Sequence, residues 1–132
     1  MHTGSYRFKL GDLECISISD GSHDYTLEAF FGKAPKEQIE AALSGEGLPT
    51  DHITTPYTYL VVDTAEHRVL VDMGAGHLSQ TTGHMVANLR AAGIDAASID
   101  VVVITHAHPD HIGGTLDDQG QLVYPYARYY LW

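Results

Sequence analysis

His106, His108, Asp110 and His111 place four potential metal donors within six consecutive residues. In an extended segment, side chains two positions apart project to the same side, so the imidazoles of His106 and His108 can converge on one ion. Pro109 biases His108 towards an extended backbone and can itself open a helix. Asp110 and His111 then fall at a turn, aimed differently from the first pair, where they suit a second ion nearby. Neutral imidazoles with a carboxylate fit zinc, iron, manganese or cobalt, and with no thiolate in the motif the residues leave that choice open. The chemistry such a set supports is metal-assisted hydrolysis. The alternative is a polar loop with solvated histidines, and four donors crowded into one stretch weigh against it. His2, His23, His52, His67, His77 and His84 are scattered, and for each a surface or core role outweighs ligation. His77 and His84 lie nearest a glycine-rich loop and are the weaker candidates.

Such donors need a rigid strand behind them. Ile99 to Ile104 is almost uninterruptedly apolar, as expected for a strand covered on both faces, and the motif begins one residue beyond it, after Thr105. The carboxyl end of a buried strand is where α/β folds place their ligand crevices. Gly113 and Gly114 permit close backbone approach behind the motif. Upstream, Tyr6 to Leu10 and Leu13 to Ser19 alternate around Gly11-Asp12 and predict a hairpin, which Asp20-Gly21-Ser22 interrupts. A helix is predicted from Pro35 through Leu43, closed by Gly45 and Gly47. Tyr57 to Asp63 and Arg68 to Asp72 read as a second hairpin turning at Thr64 to His67. Thr82 to Ala92 then has helical spacing and ends at Gly93. Leu116 to Gln121 reads as a polar connection, and the aromatic segment from Tyr124 to Trp132 as a last strand.

At 132 residues, 44% of them apolar, the chain fits one compact domain over 1–132. A formal net charge of -10 repels phosphate backbones, and no basic run overrides it, so nucleic acid is not an expected partner. The single cysteine, Cys15, forms no internal disulfide and reads as a buried free thiol. No stretch approaches a membrane span, and Met1 to Asp20 lacks the apolar core of a signal peptide. A cytoplasmic location without a membrane partner is the expectation.

Thr105-His106-Ala107-His108-Pro109-Asp110-His111-Ile112-Gly113-Gly114 resembles the signature of the metallo-β-lactamase superfamily, and Val69-Leu70-Val71-Asp72-Met73-Gly74-Ala75-Gly76 resembles the strand and loop that precede it. The opening Tyr6-Arg7-Phe8-Lys9-Leu10-Gly11-Asp12 and Ser19-Asp20-Gly21 are similar to the branch containing methyl parathion hydrolase and the acyl homoserine lactone lactonases. The resemblance implies an α/β (α+β) fold, the amino-terminal half of an αββα sandwich. In it His106 and His108 bind a first divalent metal, Asp110 and His111 a second, and Asp72 orients a ligand. Zinc comes first, with iron, manganese or cobalt as alternatives. A metal-bound hydroxide would attack a lactone, ester or organophosphate-type ester, with Asp110 also helping to move the proton.

The family's site also takes a third histidine, a bridging aspartate and a last histidine from a second half that the resemblance does not cover. The expectation is a domain truncated after its first half, inactive alone. It would associate with itself or with other chains through the face so exposed. A small molecule is the expected substrate. Two other readings stand beside this one: an iron-using redox member of the same superfamily, and a metal-binding or interaction domain without turnover.

Overall fold

The computed structural model describes residues 4–131, so His2 and Trp132 lie outside it. The described residues form a six-stranded sheet in the order β1-β2-β3-β4-β5-β6, with four α-helices. The expected mixed α/β class is the one observed.

β1 (Ser5–Leu10) and β2 (Leu13–Thr26) pair antiparallel with Leu10 opposite Leu13, and Gly11, at φ 60°, supplies the left-handed turn between them. β3 (His52–Asp63) and β4 (Arg68–Val71) form the second predicted hairpin. Thr64 Oγ1 accepts the His67 N–H at 2.8 Å in its turn, and the Arg68 guanidinium forks onto Asp63 at 2.6 and 3.0 Å. β5 (Val101–Ile104) joins β4 in parallel, and β6 (Arg128–Leu131) joins β5 in parallel. Parallel neighbours require a crossover, and α3 (Met85–Ala91) lies within the one between β4 and β5. α4 (Pro109–Ile112) follows β5 and carries the end of the donor motif.

The chain divides into two compact units. One spans residues 22–55 and holds α1 (Leu27–Phe31) and α2 (Lys36–Gly45). α2 starts from Pro35 as predicted, whereas α1 was not foreseen in the sequence. The Tyr25 and Phe30 rings meet edge to face in this unit, 5.3 Å apart. The other unit contains the donor motif and most of the buried core.

Register explains which side of the sheet is covered. Val61, Leu70, Val102 and Tyr129 are successive partners across β3 to β6, and the first three are fully buried. The next row is Leu60, Val71, Val103 and Tyr130, where Val103 is 37% and Tyr130 53% exposed. The apolar run of β5 is therefore covered on one face among the described residues, not on both as its composition suggested, because neighbours along a strand point to opposite sides. The alternating stripe of β1 is also open, with Tyr6, Phe8 and Leu10 exposed. By contrast Cys15, Ile16 and Ile18 of β2 and Tyr57, Tyr59 and Val61 of β3 are buried.

Several boundaries differ from the sequence reading: β3 starts at His52 rather than Tyr57 and β5 at Val101 rather than Ile99, and three further differences have a visible cause. β2 runs through Asp20-Gly21-Ser22 to Thr26, since Gly21 does not turn the chain. A Cβ there would collide with the Thr81 carbonyl, so this glycine allows close approach instead. α3 begins at Met85, three residues late, because Thr82 is used in the preceding turn, where its Oγ1 donates to the Gly76 carbonyl at 2.8 Å. β6 begins only at Arg128, since Tyr124 leaves the strand direction and is fully buried. The connection at Leu116 to Gln121 is a defined turn in which Asp117 Oδ1 accepts the N–H groups of Gln119 and Gln121, both at 2.9 Å. Among the described residues no helix is long and apolar enough to cross a membrane.

The two rows make a stability prediction. Leu70→Ala should cost about 2–5 kcal/mol in urea unfolding, as expected for a fully buried leucine, whereas Val103→Ala on the open row should cost no more than about 1 kcal/mol. Equal losses would show that the second face is covered too.

Candidate metal centre

β4 and β5 end side by side, and the residues just beyond them meet. Asp72 follows β4 directly at φ 59°, and among the described residues it is the one non-glycine with positive φ. Aspartate tolerates this left-handed conformation better than most side chains. The turn sends the Asp72 carboxylate across to the segment after β5. Oδ1 accepts the Thr105 backbone N–H at 2.8 Å, and Oδ2 accepts the Thr105 hydroxyl at 2.7 Å. His111 Nδ1 also lies 2.7 Å from Oδ2. The carboxylate is buried and fully engaged.

Behind the donors, backbone packs on backbone. His108 is extended at φ -74°, ψ 152°, and Pro109 opens the single turn of α4, as its ring predisposes it to. The Met73 N–H donates to the His111 carbonyl at 2.8 Å, and the Gly114 N–H to the Gly74 carbonyl at 3.1 Å. A side chain on Gly113 would collide with the Ala75 carbonyl, one on Gly114 with the Met73 carbonyl, and one on Gly76 with the Gly113 carbonyl. Asp20 fixes the far side of the same loop: Oδ2 accepts the Ala75 N–H and Oδ1 the Met85 N–H, each at 2.7 Å. The Tyr59 hydroxyl donates to the Asp110 carbonyl. Burial, and then the nearby carboxylates of Asp20 and Asp110, raise the Tyr59 pKa well above its ordinary value, so this phenol stays a donor. Asp20, Tyr59 and Thr105 carry no ligand-like signal in the sequence; the partners just described are 33 to 65 positions away.

The four donors meet in pairs, and a ring contact between His106 and His111 links the pairs. His106 and His108 are exposed, whereas Asp110 and His111 are half-buried. His106 Nε2 lies 3.2 Å from His108 Nδ1, and His111 Nε2 lies 3.2 Å from Asp110 Oδ2. The rings of His106 and His111 approach to 3.9 Å between centroids. Among the described residues, no three such side chains are grouped as they would be to hold a metal ion. The pair distances nevertheless suit one: two ligands on a tetrahedral zinc, each about 2.0–2.1 Å from it, stand roughly 3.3 Å apart. Charge points the same way. With Nδ1 of His111 donating to Asp72, its Nε2 lone pair faces the Asp110 carboxylate, two electron-pair donors side by side that a metal cation between them would satisfy. The donor set therefore fits divalent metal.

The scattered histidines are engaged elsewhere or stand apart. His77 Nε2 pairs with Asp118 at 2.6 Å, His67 with Asp100 at 2.9 Å and His52 with Asp51 at 2.7 Å. His84 is the residue preceding α3, and His23 packs against the Tyr25 ring.

The sequence profile described as the Metallo-beta-lactamase superfamily matches residues 54–122, just over half of the chain. The chain belongs to this superfamily. Among solved structures it is similar to AidC, a dizinc quorum-quenching lactonase, with 33% identity and a TM-score of 0.90 over 96% of this chain and 44% of that one. It is also similar to the hydrolase AbOPH of the beta lactamase superfamily, with 26% identity and a TM-score of 0.89 over 98% of this chain and 45% of that one. A ribonuclease Z of Aeropyrum pernix is 39% identical over 71 residues, 54% of this chain and 20% of the enzyme. The chain thus spans less than half of the length of each of these relatives.

The close backbone contact behind the donors can be tested. Gly113→Ala should destabilise the protein by about 1–3 kcal/mol in thermal or urea unfolding, since the obstruction is a carbonyl group rather than a movable side chain. Gly45→Ala in α2 meets open space and is the control, expected to be neutral or to stabilise by up to about 1 kcal/mol. Similar behaviour of the two variants would contradict the packing described.

Proposed function

We propose that the chain supplies the first part of the active site of a metal-dependent hydrolase acting on lactones or related esters, organophosphate-type esters included. His106, His108, Asp110 and His111 would hold two divalent metals, with zinc the first choice. The observation that carries this reading is the pair of 3.2 Å donor contacts, one between imidazoles and one between His111 and the Asp110 carboxylate, at the carboxyl end of β5. The likeness to a lactonase and to a second hydrolase over almost the whole chain supports the substrate class. The ribonuclease Z match covers a fifth of that enzyme, and the net charge of -10 weighs against a nucleic-acid substrate.

When bound, divalent metal supplies Lewis acidity, polarising the substrate carbonyl or phosphoryl oxygen and lowering the pKa of water. The chain's own residues do the rest. Asp72 holds the His111 ring by Nδ1, so that its Nε2 faces outward beside Asp110. Tyr59 ties down the Asp110 backbone, which keeps the carboxylate where it can accept or return a proton. His106 and His108, exposed at the rim, leave the donors accessible to a small substrate.

Two measurements test this. Zinc calorimetry on the chain should show binding that the His106→Ala/His108→Ala double variant loses, and equal affinities would remove the assignment. In the whole enzyme, Asp110→Asn should lower lactone turnover by about 10²- to 10⁴-fold while leaving the unfolding midpoint close to the parent's. Turnover within a few-fold of the parent would rule out both roles given to Asp110.

A further inference from the structure

We infer that Thr105 is a positioning residue that fixes the ring tautomer of His106, so that the single carboxylate of Asp72 decides which nitrogen two histidines present to metal. The inference rests on the metal-binding reading above for its consequence, but not for its geometry.

A threonine hydroxyl has one hydrogen to donate and lone pairs to accept with. Thr105 Oγ1 lies 2.7 Å from Asp72 Oδ2, an anionic oxygen that can only accept, so the hydrogen points there. His106 Nδ1 lies 3.0 Å from the same Oγ1, on the side left to its lone pairs. A bare Nδ1 would set lone pair against lone pair, whereas a protonated Nδ1 completes a hydrogen bond. His106 therefore carries its proton on Nδ1 and keeps Nε2 bare. That bare Nε2 is the atom 3.2 Å from His108 Nδ1, inside the donor cluster.

His111 reaches the same state by a direct route. Its Nδ1 donates to Asp72 Oδ2, which leaves Nε2 bare beside Asp110. One buried carboxylate thus acts on His111 by contact and on His106 through a hydroxyl. The Thr105 backbone N–H, bonded to Asp72 Oδ1, fixes the residue from which that hydroxyl projects. Serine can reproduce the relay. Valine has the shape of threonine but cannot accept from Nδ1.

Long-range ¹H–¹⁵N correlation spectra of the metal-free protein, taken above the histidine titration range, read the tautomers directly. Zinc calorimetry on the same samples reads their consequence. We expect His106 and His111 to be Nδ1–H in the parent and in Thr105→Ser. In Thr105→Val, His106 should move towards Nε2–H while His111 does not, and zinc affinity should fall about 10- to 100-fold. His106 as Nε2–H in the parent, or a Thr105→Val protein with the parent's tautomer and zinc affinity, would overturn the inference. Should Thr105→Val fail to fold, the parent and Thr105→Ser spectra still decide, by the same criterion for His106. A parent that shows both Nδ1–H tautomers yet binds no zinc would remove the proposed metal site while supporting the relay.

Discussion

The Asp72 carboxylate is the constraint on which the rest of the site depends. It sits at the end of β4 in a left-handed backbone conformation and receives three polar contacts from the segment after β5: the Thr105 amide, the Thr105 hydroxyl and the His111 ring. A buried carboxylate without such partners would carry a large desolvation penalty, so its satisfaction and the placement of the motif are a single event. The parallel pairing of β4 with β5 makes this possible, because it brings two strand ends, 33 residues apart in sequence, to the same edge of the sheet. An antiparallel pair would have put those ends on opposite sides.

Around that carboxylate the structure uses backbone where other sites use side chains. Gly76, Gly113 and Gly114 allow the loop after β4 and the loop after α4 to touch carbonyl to Cα, and amide hydrogen bonds tie them together. Such contacts have few soft degrees of freedom, which suits donors that must stay within tenths of an ångström of one another. Asp20 extends the same logic outward, its two oxygens held by the amides of Ala75 and Met85, so β2 anchors the loop that carries Gly76. Two aspartates, one on each side of the loop, are thus both satisfied mainly by amides and hydroxyls rather than by cations. In a chain of seven basic and seventeen acidic residues, few cations are at hand for that purpose.

The second compact unit, residues 22–55, differs in character. Its helices α1 and α2 bury little, with Leu43 the one buried residue of α2 and none in α1, and its aromatic side chains Phe30 and Phe31 are exposed. The superfamily profile begins only at residue 54, whereas the likeness to AidC and AbOPH extends over nearly the whole chain. The likeness to these two solved hydrolases thus takes in most of the residues on both sides of the stretch 54–122 that the profile matches.

Much of this was legible in the sequence where the signal is local. The four donors at 106, 108, 110 and 111, the strand before them, the Gly11-Asp12 turn and the hairpin from Tyr57 to Asp72 all follow from spacing and turn chemistry within a few residues. Asp72 stood out only through its resemblance to a known motif. Tertiary structure alone decided which face of β5 is covered, since an apolar run carries no alternation from which to read it. It also decided that β2 continues past Asp20-Gly21, because the neighbour that demands a glycine there, Thr81, is sixty residues away. The roles of Asp20, Tyr59 and Thr105 were illegible for the same reason. Each is defined by a hydrogen-bond partner distant in the chain, and a single sequence records residue types in order but not which of them the folded backbone brings within three ångströms of each other.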